Sequence, residues 1–371
     1  MKILYVTTIG STMGFFKNLI NELILAGHTV DIATNESITP VNEDYKKANC
    51  KIFPISCTRS PLNKGTFRAI KEIRQIVAEN DYDIVHCHTP IAAMCTRLAC
   101  RKFRKNGGEV FYTAHGFHFY KGAPLKNWLM FYPIEKICSF FTDVLITINT
   151  EDFEFAKKHL NAQKTEYVQG VGIDTKHFAD TVVQTEEKRA ELGIPNDAIL
   201  LTSVGELNQN KNHQIILRAM AKLKNDNIHY IIAGTGENAD KLLALAKELN
   251  LEKNFKLLGY RTDIAEIYKA SDICCFPSIR EGLGLAAVEG MATGLPVIAA
   301  KNRGTRDFCK DGVNGFLCMP FSTEEFADAI TKIITDFKLA KTMSENNKSA
   351  ALRFDVGAIN KKMHNFYGIK K

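Results

Sequence analysis

At 371 residues the chain is longer than one ordinary domain and suits two domains of common size. Its 45% hydrophobic and 24% charged residues are ordinary for a globular protein, which excludes a disordered chain. The net charge of +7 is concentrated, since residues 97–136 hold 8 basic and 2 acidic side chains, and this excludes a nucleic-acid protein with a basic face throughout.

The N-terminus MKILYVTTIG lacks the basic, apolar and small-residue regions of a signal peptide, and no run of about 18 apolar residues follows it. The sequence therefore predicts a cytoplasmic protein. The ten cysteines show neither a CxxC motif nor a Cys/His spacing typical of metal ligands. They are predicted to be reduced core thiols, without disulfides or structural zinc.

Short apolar runs alternate with segments of helical period along the chain, which is typical of βαβ units in parallel sheets. The helix after Gly65 is predicted to pack through Phe67, Ile70, Ile73 and Ile76 or Val77. Three C-terminal helices are predicted at 323–334, 339–352 and 358–367. Strands are predicted at 3–6, 29–33, 84–88, 110–113, 144–148, 199–204, 229–233, 255–258, 273–276 and 297–299.

This rhythm breaks at residues 169–198, where QGVGIDTKHF is followed by a polar stretch. The break predicts an N-terminal acceptor-side domain at 1–170 and a C-terminal donor-binding domain at 171–371. The predicted fold class is α/β, with two Rossmann-like, doubly wound domains that face a central cleft. Ligand-binding loops at the carboxyl ends of the strands would line that cleft.

The first βα turn, TTIGSTMGFF, contains Gly10, Ser11 and Gly14, which would let the backbone approach donor phosphates or an acceptor. His86 and His88 alternate along a strand as two metal ligands would. No third ligand appears at a useful spacing, and Asp81-Tyr82-Asp83 lies at a helix end where acids face water. We therefore predict no metal site.

The most informative segment is PSIREGLGLAAVEGMATGLPVIA at 277–299, which predicts a strand end, a glycine loop and a helix beginning at 283–285. Such a helix N-terminus suits a diphosphate. Glu281 and Glu289 stand eight positions apart. Carboxylates accept paired hydrogen bonds from vicinal hydroxyls, so one acid would meet a sugar and the other a ribose. On spacing alone, a solvated Glu and a helix-face Glu fit equally well.

This segment resembles the E-x7-E motif of glycosyltransferase family 4, within the GT-B fold class. The resemblance extends through the C-terminal half, where LLTSVGELNQNKNH is similar to the family's first strand and phosphate loop, IIAGTGEN to its glycine turn and LLGYRTD to its base-binding loop. In the N-terminal half, DYDIVHCHTP and YTAHGFHFY resemble the acceptor-side strand and the pocket histidine segment.

The resemblance implies roles for individual residues. His115, with His118 as second choice, would lie near the reacting carbon, Glu281 would hold the sugar hydroxyls and Lys211 would neutralise the leaving diphosphate. The implied catalytic residues are His115, Lys211 and Glu281. The implied donor-binding residues are Gly10, Ser11, Gly205, Lys211, Gly234, Gly236, Tyr260, Arg261, Ser278, Glu281, Gly282, Leu283, Gly284, Leu285 and Glu289.

One position departs from the family pattern, which has Arg where this chain has Glu206. A carboxylate cannot replace a guanidinium on a diphosphate. Either Glu206 turns away, or the pocket depends on Lys211 and a second cation such as Arg280 or Arg303. Gly-Glu-Leu at this place resembles a subgroup associated with bacterial exopolysaccharide and capsule assembly.

The resemblance implies a retaining, metal-independent transfer of a hexose or N-acetylhexosamine from a nucleotide sugar, expected to be UDP-linked, to a polyprenyl-diphosphate-linked saccharide. No cofactor beyond the donor is expected, and no nucleic acid. The basic window with Trp128 predicts peripheral contact with an anionic membrane at its inner face. The alternatives are a sugar-nucleotide epimerase of the same fold, a dinucleotide-dependent oxidoreductase suggested by GTGEN, and a degenerate sugar-nucleotide-binding scaffold.

Overall fold

A computed structural model describes residues 1–61 and 63–369, and it divides the chain into two units. The first unit contains Met1–Val171 and the chain from Asn360 onward. The second unit contains Gly172–Ile359. Each unit is built on one parallel sheet, as the alternation of apolar runs and helices predicts.

The sheet of the first unit has the strand order β3-β2-β1-β4-β5-β6-β7. Its strands are β1 Lys2–Ile9, β2 Thr29–Asn35, β3 Ile52–Pro54, β4 Ile84–His88, β5 Glu109–Ala114, β6 Val144–Thr147 and β7 Lys164–Tyr167. Its helices are α1 Lys17–Leu25, α2 Glu43–Lys47, α3 Lys64–Glu79, α4 Pro90–Ala99, α5 Arg101–Lys105, α6 Leu125–Ser139 and α7 Thr150–His159. Central strands such as β4 are buried along their whole length, as expected for a sheet covered on both faces.

The second unit repeats this topology with the order β10-β9-β8-β11-β12-β13. Its strands are β8 Ile199–Val204, β9 Ile228–Ala233, β10 Phe255–Gly259, β11 Ile273–Phe276, β12 Val297–Ala300 and β13 Gly315–Cys318. Its helices are α8 Thr175–Asp180, α9 Thr185–Leu192, α10 Gln214–Leu223, α11 Ala239–Glu248, α12 Ile264–Lys269, α13 Leu285–Thr293, α14 Thr323–Thr335 and α15 Phe337–Ala351. The two doubly wound sheets confirm the predicted Rossmann-like fold class.

The last helix, α16 Val356–Phe366, crosses from one unit to the other. Asn360 donates a hydrogen bond to the Glu22 carboxylate at 2.8 Å, and the hydroxyls of Tyr367 and Tyr5 lie 2.7 Å apart in the interior of the first unit. The prediction that residues 171–371 form one domain is therefore wrong for this end. These polar contacts hold Asn360 and Tyr367 in the first unit.

The basic window at 97–136 is not one exposed surface, contrary to the prediction. Arg97 is buried, pairs with Glu135 at 2.8 Å and lies 4.2 Å from the centre of the Tyr112 ring. Arg104 makes two hydrogen bonds of 2.7 Å to Asp143. Both guanidiniums therefore stabilise the fold, and the exposed cations of this window are fewer than its composition indicates.

Candidate functional site

The sheet of the second unit changes its winding direction between the neighbouring strands β8 and β11. Residues 205–213, here called the β8 loop, follow the first strand, and residues 277–284, the β11 loop, follow the second. Both loops leave the carboxyl edge of the sheet at this switch point. In open α/β sheets, ligands bind at such a point.

Hydrogen bonds join the two loops. The amide of Ile279 donates to the Asn210 carbonyl at 2.8 Å, and the Asn210 side chain donates to the Arg280 carbonyl at 2.9 Å. The side chain of Asn302, from the loop after β12, donates to the Ser278 carbonyl at 2.8 Å. Ser278 is buried between these segments, so the structure gives this predicted site residue a place in the framework of the site.

Gly205, Gly234 and Gly236, which are predicted to bind the donor, lie in closely packed backbone. A Cβ atom on Gly234 would lie 1.9 Å from the Gly205 carbonyl oxygen, and one on Gly236 would lie 2.5 Å from the Leu207 carbonyl oxygen. Two backbones approach this closely only where a side chain is absent. Packing therefore accounts for Gly234 and Gly236, and contact of these glycines with the donor stays a prediction.

Lys211 and Glu281 bring opposite charges together at the switch point. Lys211 Nζ lies 2.7 Å from Glu281 Oε1, and the side chains are only 21% and 17% exposed. The ammonium also lies 5.3 Å from the centre of the Phe276 ring. Partial burial strengthens the field of each charge compared with a pair in open water. Both predicted catalytic residues of the second unit thus occupy one site.

The N-terminus of α13 faces the same edge of the sheet. Gly284 precedes the helix with a φ of +111°, and a Cβ atom there would lie 2.7 Å from the Phe276 ring. No side chain caps this helix end, so the amides beginning at Leu285 keep the positive end of the helix dipole uncompensated. Leu283 is buried, and Gly282 packs against Gly304. This arrangement suits an anion.

Glu289 lies one turn into α13 and is half-buried. In the part of the chain that the structure describes, no hydrogen bond or ion pair engages its carboxylate. Burial raises the pKa of Glu289 to about 7. A carboxyl group with a raised pKa and no protein partner is typical of a functional site.

The cations proposed to compensate for Glu206 lie in different environments. Glu206 is exposed and accepts a hydrogen bond of 2.9 Å from Asn208. Arg303 is buried and donates to the Glu281 carbonyl at 3.5 Å, whereas Arg280 is exposed. Arg303 therefore supports the backbone of the β11 loop, and Lys211 is paired with the Glu281 carboxylate.

The two predicted base-binding residues, Tyr260 and Arg261, lie in different environments. Arg261 donates hydrogen bonds to Asp263 at 2.8 Å and to Glu191 at 2.6 Å, and it is the main reason that the pKa of Asp263 is held below its usual range. The Tyr260 side chain is exposed. With its guanidinium committed to these carboxylates, Arg261 offers mainly its backbone to a ligand, and contact with a base stays a prediction.

Sequence reasoning missed the asparagines that shape the β8 loop, and also His213. Asn212 adopts a φ of +54° and donates to the Pro320 carbonyl at 2.7 Å. His213 is buried beside the Tyr230 hydroxyl, at 3.2 Å, and burial together with Lys211 lowers its pKa to about 4. The run Asn-Gln-Asn-Lys-Asn carried a signal, because asparagine accepts left-handed backbone and bonds to nearby amides.

In the first unit, His115 follows β5 and contacts His88 of β4. His115 Nε2 lies 3.2 Å from His88 Nδ1, and burial lowers the pKa of His115 to about 4. Its imidazole is therefore neutral near pH 7 and offers one donor and one acceptor. His118, the second choice for the pocket histidine, packs against Phe131, with 4.5 Å between the two ring centres.

His86 joins the network that holds the last residues of the chain. Its Nδ1 lies 2.5 Å from the Tyr367 hydroxyl, and its Nε2 lies 2.8 Å from Thr113 Oγ1. Both nitrogens thus have protein partners. Among residues 1–61 and 63–369, no group of three or more His, Cys, Asp or Glu side chains could hold a metal ion.

Gly10 and Ser11 begin a 3₁₀ helix, Gly10–Phe16, directly after β1. A Cβ atom on Gly10 would lie 2.4 Å from the Thr39 carbonyl oxygen, and the Ser11 amide donates to Thr39 Oγ1 at 3.0 Å. Close packing on the segment before α2 therefore requires glycine here. A role for either residue toward the donor stays a prediction.

Two family descriptions match the chain. "Glycosyl transferase 4-like" matches residues 2–149, and "Glycosyl transferases group 1" matches residues 184–350. A relative from Bacillus subtilis (strain 168), provisionally named glycosyltransferase EpsD, is 37% identical over 85% of this chain and 84% of its own. The UDP-Gal:alpha-D-GlcNAc-diphosphoundecaprenol alpha-1,3-galactosyltransferase of Escherichia coli is 30% identical over 82% of this chain and 79% of its own.

Solved structures share the fold. Anabaena Alr3699/HepE in complex with UDP superposes with a TM-score of 0.82 at 23% identity, covering 99% of this chain and 100% of that one. The same protein in complex with UDP-glucose gives 0.80 at 24% identity, with 99% of each chain covered. The likeness extends over both units.

Proposed function

We propose, on the premise that this chain belongs to the GT-B glycosyltransferases of the group 1 and family 4-like type, that it transfers a hexose or N-acetylhexosamine from a UDP-sugar to a lipid-linked saccharide with retention of configuration. The observation that carries the proposal is the Lys211–Glu281 pair beside the uncapped N-terminus of α13. Membership of this family excludes the oxidoreductase alternative, and the chain is an enzyme.

The donor is proposed from the chemistry of this site. In a nucleotide sugar, the negative charge is concentrated on the diphosphate that joins the sugar to the nucleoside. Lys211 and the amides at the N-terminus of α13 offer the positive charge that would bind this diphosphate. Glu281 offers carboxylate oxygens for sugar hydroxyls. The names of HepE complexes and of the Escherichia coli galactosyltransferase contain UDP-sugars, which supports uridine as the base.

In the proposed reaction, Lys211 and the helix amides stabilise the charge that grows on the leaving diphosphate. The departing phosphate oxygen takes the proton of the acceptor hydroxyl on the same face of the sugar, so no separate carboxylate base is required. Glu281 orients the sugar, and a role of His115 toward the donor stays a prediction. In this proposal, the rate enhancement comes from the positioning of the two substrates and from electrostatic stabilisation of the leaving diphosphate.

The acceptor is proposed to be a saccharide on a polyprenyl diphosphate, used for a surface polysaccharide. The name of the Escherichia coli relative contains a diphosphoundecaprenol acceptor, which supports a lipid-linked acceptor for this chain. The EpsD relative, 37% identical, supports the glycosyltransferase activity. Every helix in the described part of the chain is too short or too polar to cross a bilayer. We therefore propose peripheral contact with the inner face of the membrane, where such an acceptor is found.

A panel of nucleotide sugars, followed by a transfer assay, tests the proposed function. A UDP-sugar is expected to raise the melting temperature by several degrees at saturating concentration, because a ligand bound only by the native protein stabilises it by mass action. Transfer is expected to continue in EDTA. Activity lost in EDTA and restored by Mg²⁺ would refute metal independence, and an isomerised donor without acceptor would favour the epimerase.

Affinity for the donor should depend on pH through Glu289. With a pKa of about 7, its carboxylate is mostly protonated at pH 6 and mostly ionised at pH 8. Since the ionised form accepts the stronger hydrogen bonds, calorimetry should show binding of UDP-glucose about tenfold tighter at pH 8 than at pH 6. The diphosphate diester of this ligand does not titrate in that range.

Glu289→Gln serves as the comparison. Its affinity should be independent of pH and weaker at pH 8, and the free variant should be more stable than wild type at pH 8. Because folding raises the pKa of Glu289 from 4.5 to about 7, the free energy of unfolding falls as the pH rises from about 4.5 to about 7 and stays at the lower value above that range. Wild-type affinity that is equal at the two pH values would refute a binding role for Glu289.

A further inference from the structure

His213, the last residue of the β8 loop, turns its side chain away from solvent. It is the N-cap residue of α10, yet its side chain caps no amide of that helix. Asparagine, aspartate or serine would stabilise a helix end better at this position. The residue is instead buried in the second unit, with 4% of its surface exposed. Capping of α10 therefore does not explain why a histidine stands here.

A directed series of hydrogen bonds begins at this imidazole. Ser203 Oγ donates its one proton to the Cys275 carbonyl at 2.6 Å, so it can only accept from the Tyr230 hydroxyl, which lies 2.8 Å away. Because the Tyr230 proton is used in this way, its hydroxyl accepts from His213 Nδ1 at 3.2 Å. Tyr230 and Ser203 are both buried. We call these four groups the His213 network.

The His213 network joins the two loops of the site through the interior of the sheet. Cys275 belongs to β11, two positions before the β11 loop begins. His213 ends the β8 loop, and its ring also interacts with the backbone of Glu206 near the start of that loop. Lys211 lies between these two points. The segment that carries the ammonium is therefore held at both ends by one buried side chain.

The imidazole is uncharged beside this ammonium. Burial is the main cause that lowers the pKa of His213 to about 4, and the charge of Lys211 lowers it further. The ring is therefore neutral near pH 7 and adds no second positive charge next to Lys211. It can hold the loop without weakening the ion pair between Lys211 and Glu281.

We propose that His213 is a positioning residue for the transfer reaction, which holds the β8 loop so that the Lys211 ammonium stands beside Glu281 and faces the leaving diphosphate. This inference rests on the proposed function, in which Lys211 stabilises the charge of that diphosphate. Such stabilisation requires a group that is already in place, and a displacement of about 1 Å can lower a rate about 100-fold. His213 acts through Lys211 and is not proposed to contact the substrate.

Substitutions in the His213 network test the proposal by kinetics. Tyr230→Phe removes one hydroxyl, and it should lower kcat about tenfold while KM for the donor stays within about twofold, because the ammonium acts on charge that grows in the transition state. His213→Leu should lower kcat about 30- to 100-fold. His213→Asn keeps an N–H donor near the position of Nδ1 and should recover most of the activity. Tyr82→Phe breaks a buried hydrogen bond to Asp31 in the first unit and should leave kcat unchanged.

The same substitution in the Lys211→Met enzyme separates positioning from stability. Without the ammonium the network has no charge to place, so Tyr230→Phe should change kcat there by less than about twofold, whereas a merely structural effect would be equal in both backgrounds. Melting temperatures show that each variant is folded at the assay temperature. Equal losses in the two backgrounds, or wild-type kcat in folded Tyr230→Phe, would overturn the positioning role. Unchanged kcat in Lys211→Met itself would instead refute the proposed function, so the two failures are distinct.

Discussion

Replacing Lys211 with Met is expected to lower kcat by about 100- to 1000-fold. Its ammonium is the cation beside Glu281 at the switch point, and loss of one group that stabilises transition-state charge costs about this much. Methionine keeps most of the aliphatic length of the lysine side chain, so the fold should persist. Steady-state kinetics with the donor identified by the panel measures the effect.

Lys247→Met is the matched control, since Lys247 is exposed near the end of α11, away from both loops. It should leave kcat unchanged. Circular dichroism and the melting temperature report whether each variant is folded. A folded Lys211→Met enzyme with kcat within about threefold of wild type would refute the role of the ammonium in stabilising the leaving diphosphate.

Glu281→Gln is expected to lower transfer about 10- to 100-fold, because hydrogen bonds to a charged group contribute about 1.5 to 3 kcal/mol and the amide conserves only the volume. It also leaves the Lys211 ammonium without its ion-pair partner at 2.7 Å. Glu252→Gln, at an exposed position before β10, supplies the control. Near-normal turnover of a folded Glu281→Gln enzyme would contradict its proposed contact with the sugar.

The double variant Lys211→Met and Glu281→Gln adds a test of coupling. The two side chains touch, so their effects on kcat should not add, and the double variant should lose less than the product of the single losses. Fully multiplicative losses would indicate that the two residues act independently, despite their ion pair.

The ten strands predicted from apolar runs are confirmed, whereas β3, β7 and β13 were missed. All three lie at sheet edges. An edge strand is partly exposed and needs no continuous apolar run, and β7, with the sequence KTEY, has none. The prediction that Phe67 packs into the core also failed. It fits the apolar period of α3 but is 59% exposed. The buried side chains of α3 are Thr66, Ala69, Ile73 and Val77, so the prediction is confirmed for Ile73 and Val77 and wrong for Phe67.

The sequence identified the two segments that form the site in the second unit, because strand, glycine loop and acidic residues recur at short spacing. It could not reveal the 2.7 Å contact between Lys211 and Glu281, which are 70 positions apart and meet only through the sheet order. The link between His86 and Tyr367 spans 281 positions and has no local signal. Arg97 lies in a basic window of the sequence, which indicated an exposed charge. The structure buries its side chain instead.

The course of α16 makes the second unit an insertion within the first. During synthesis, residues 172–359 are all made before Tyr367, so the nascent chain that contains Tyr5 and His86 lacks the partner hydroxyl until Tyr367 is added. Contacts of such high sequence separation form late, because a long loop must close first. A gene fragment that encodes residues 1–171 would therefore omit part of the interior of the first unit, even though it contains every strand of its sheet.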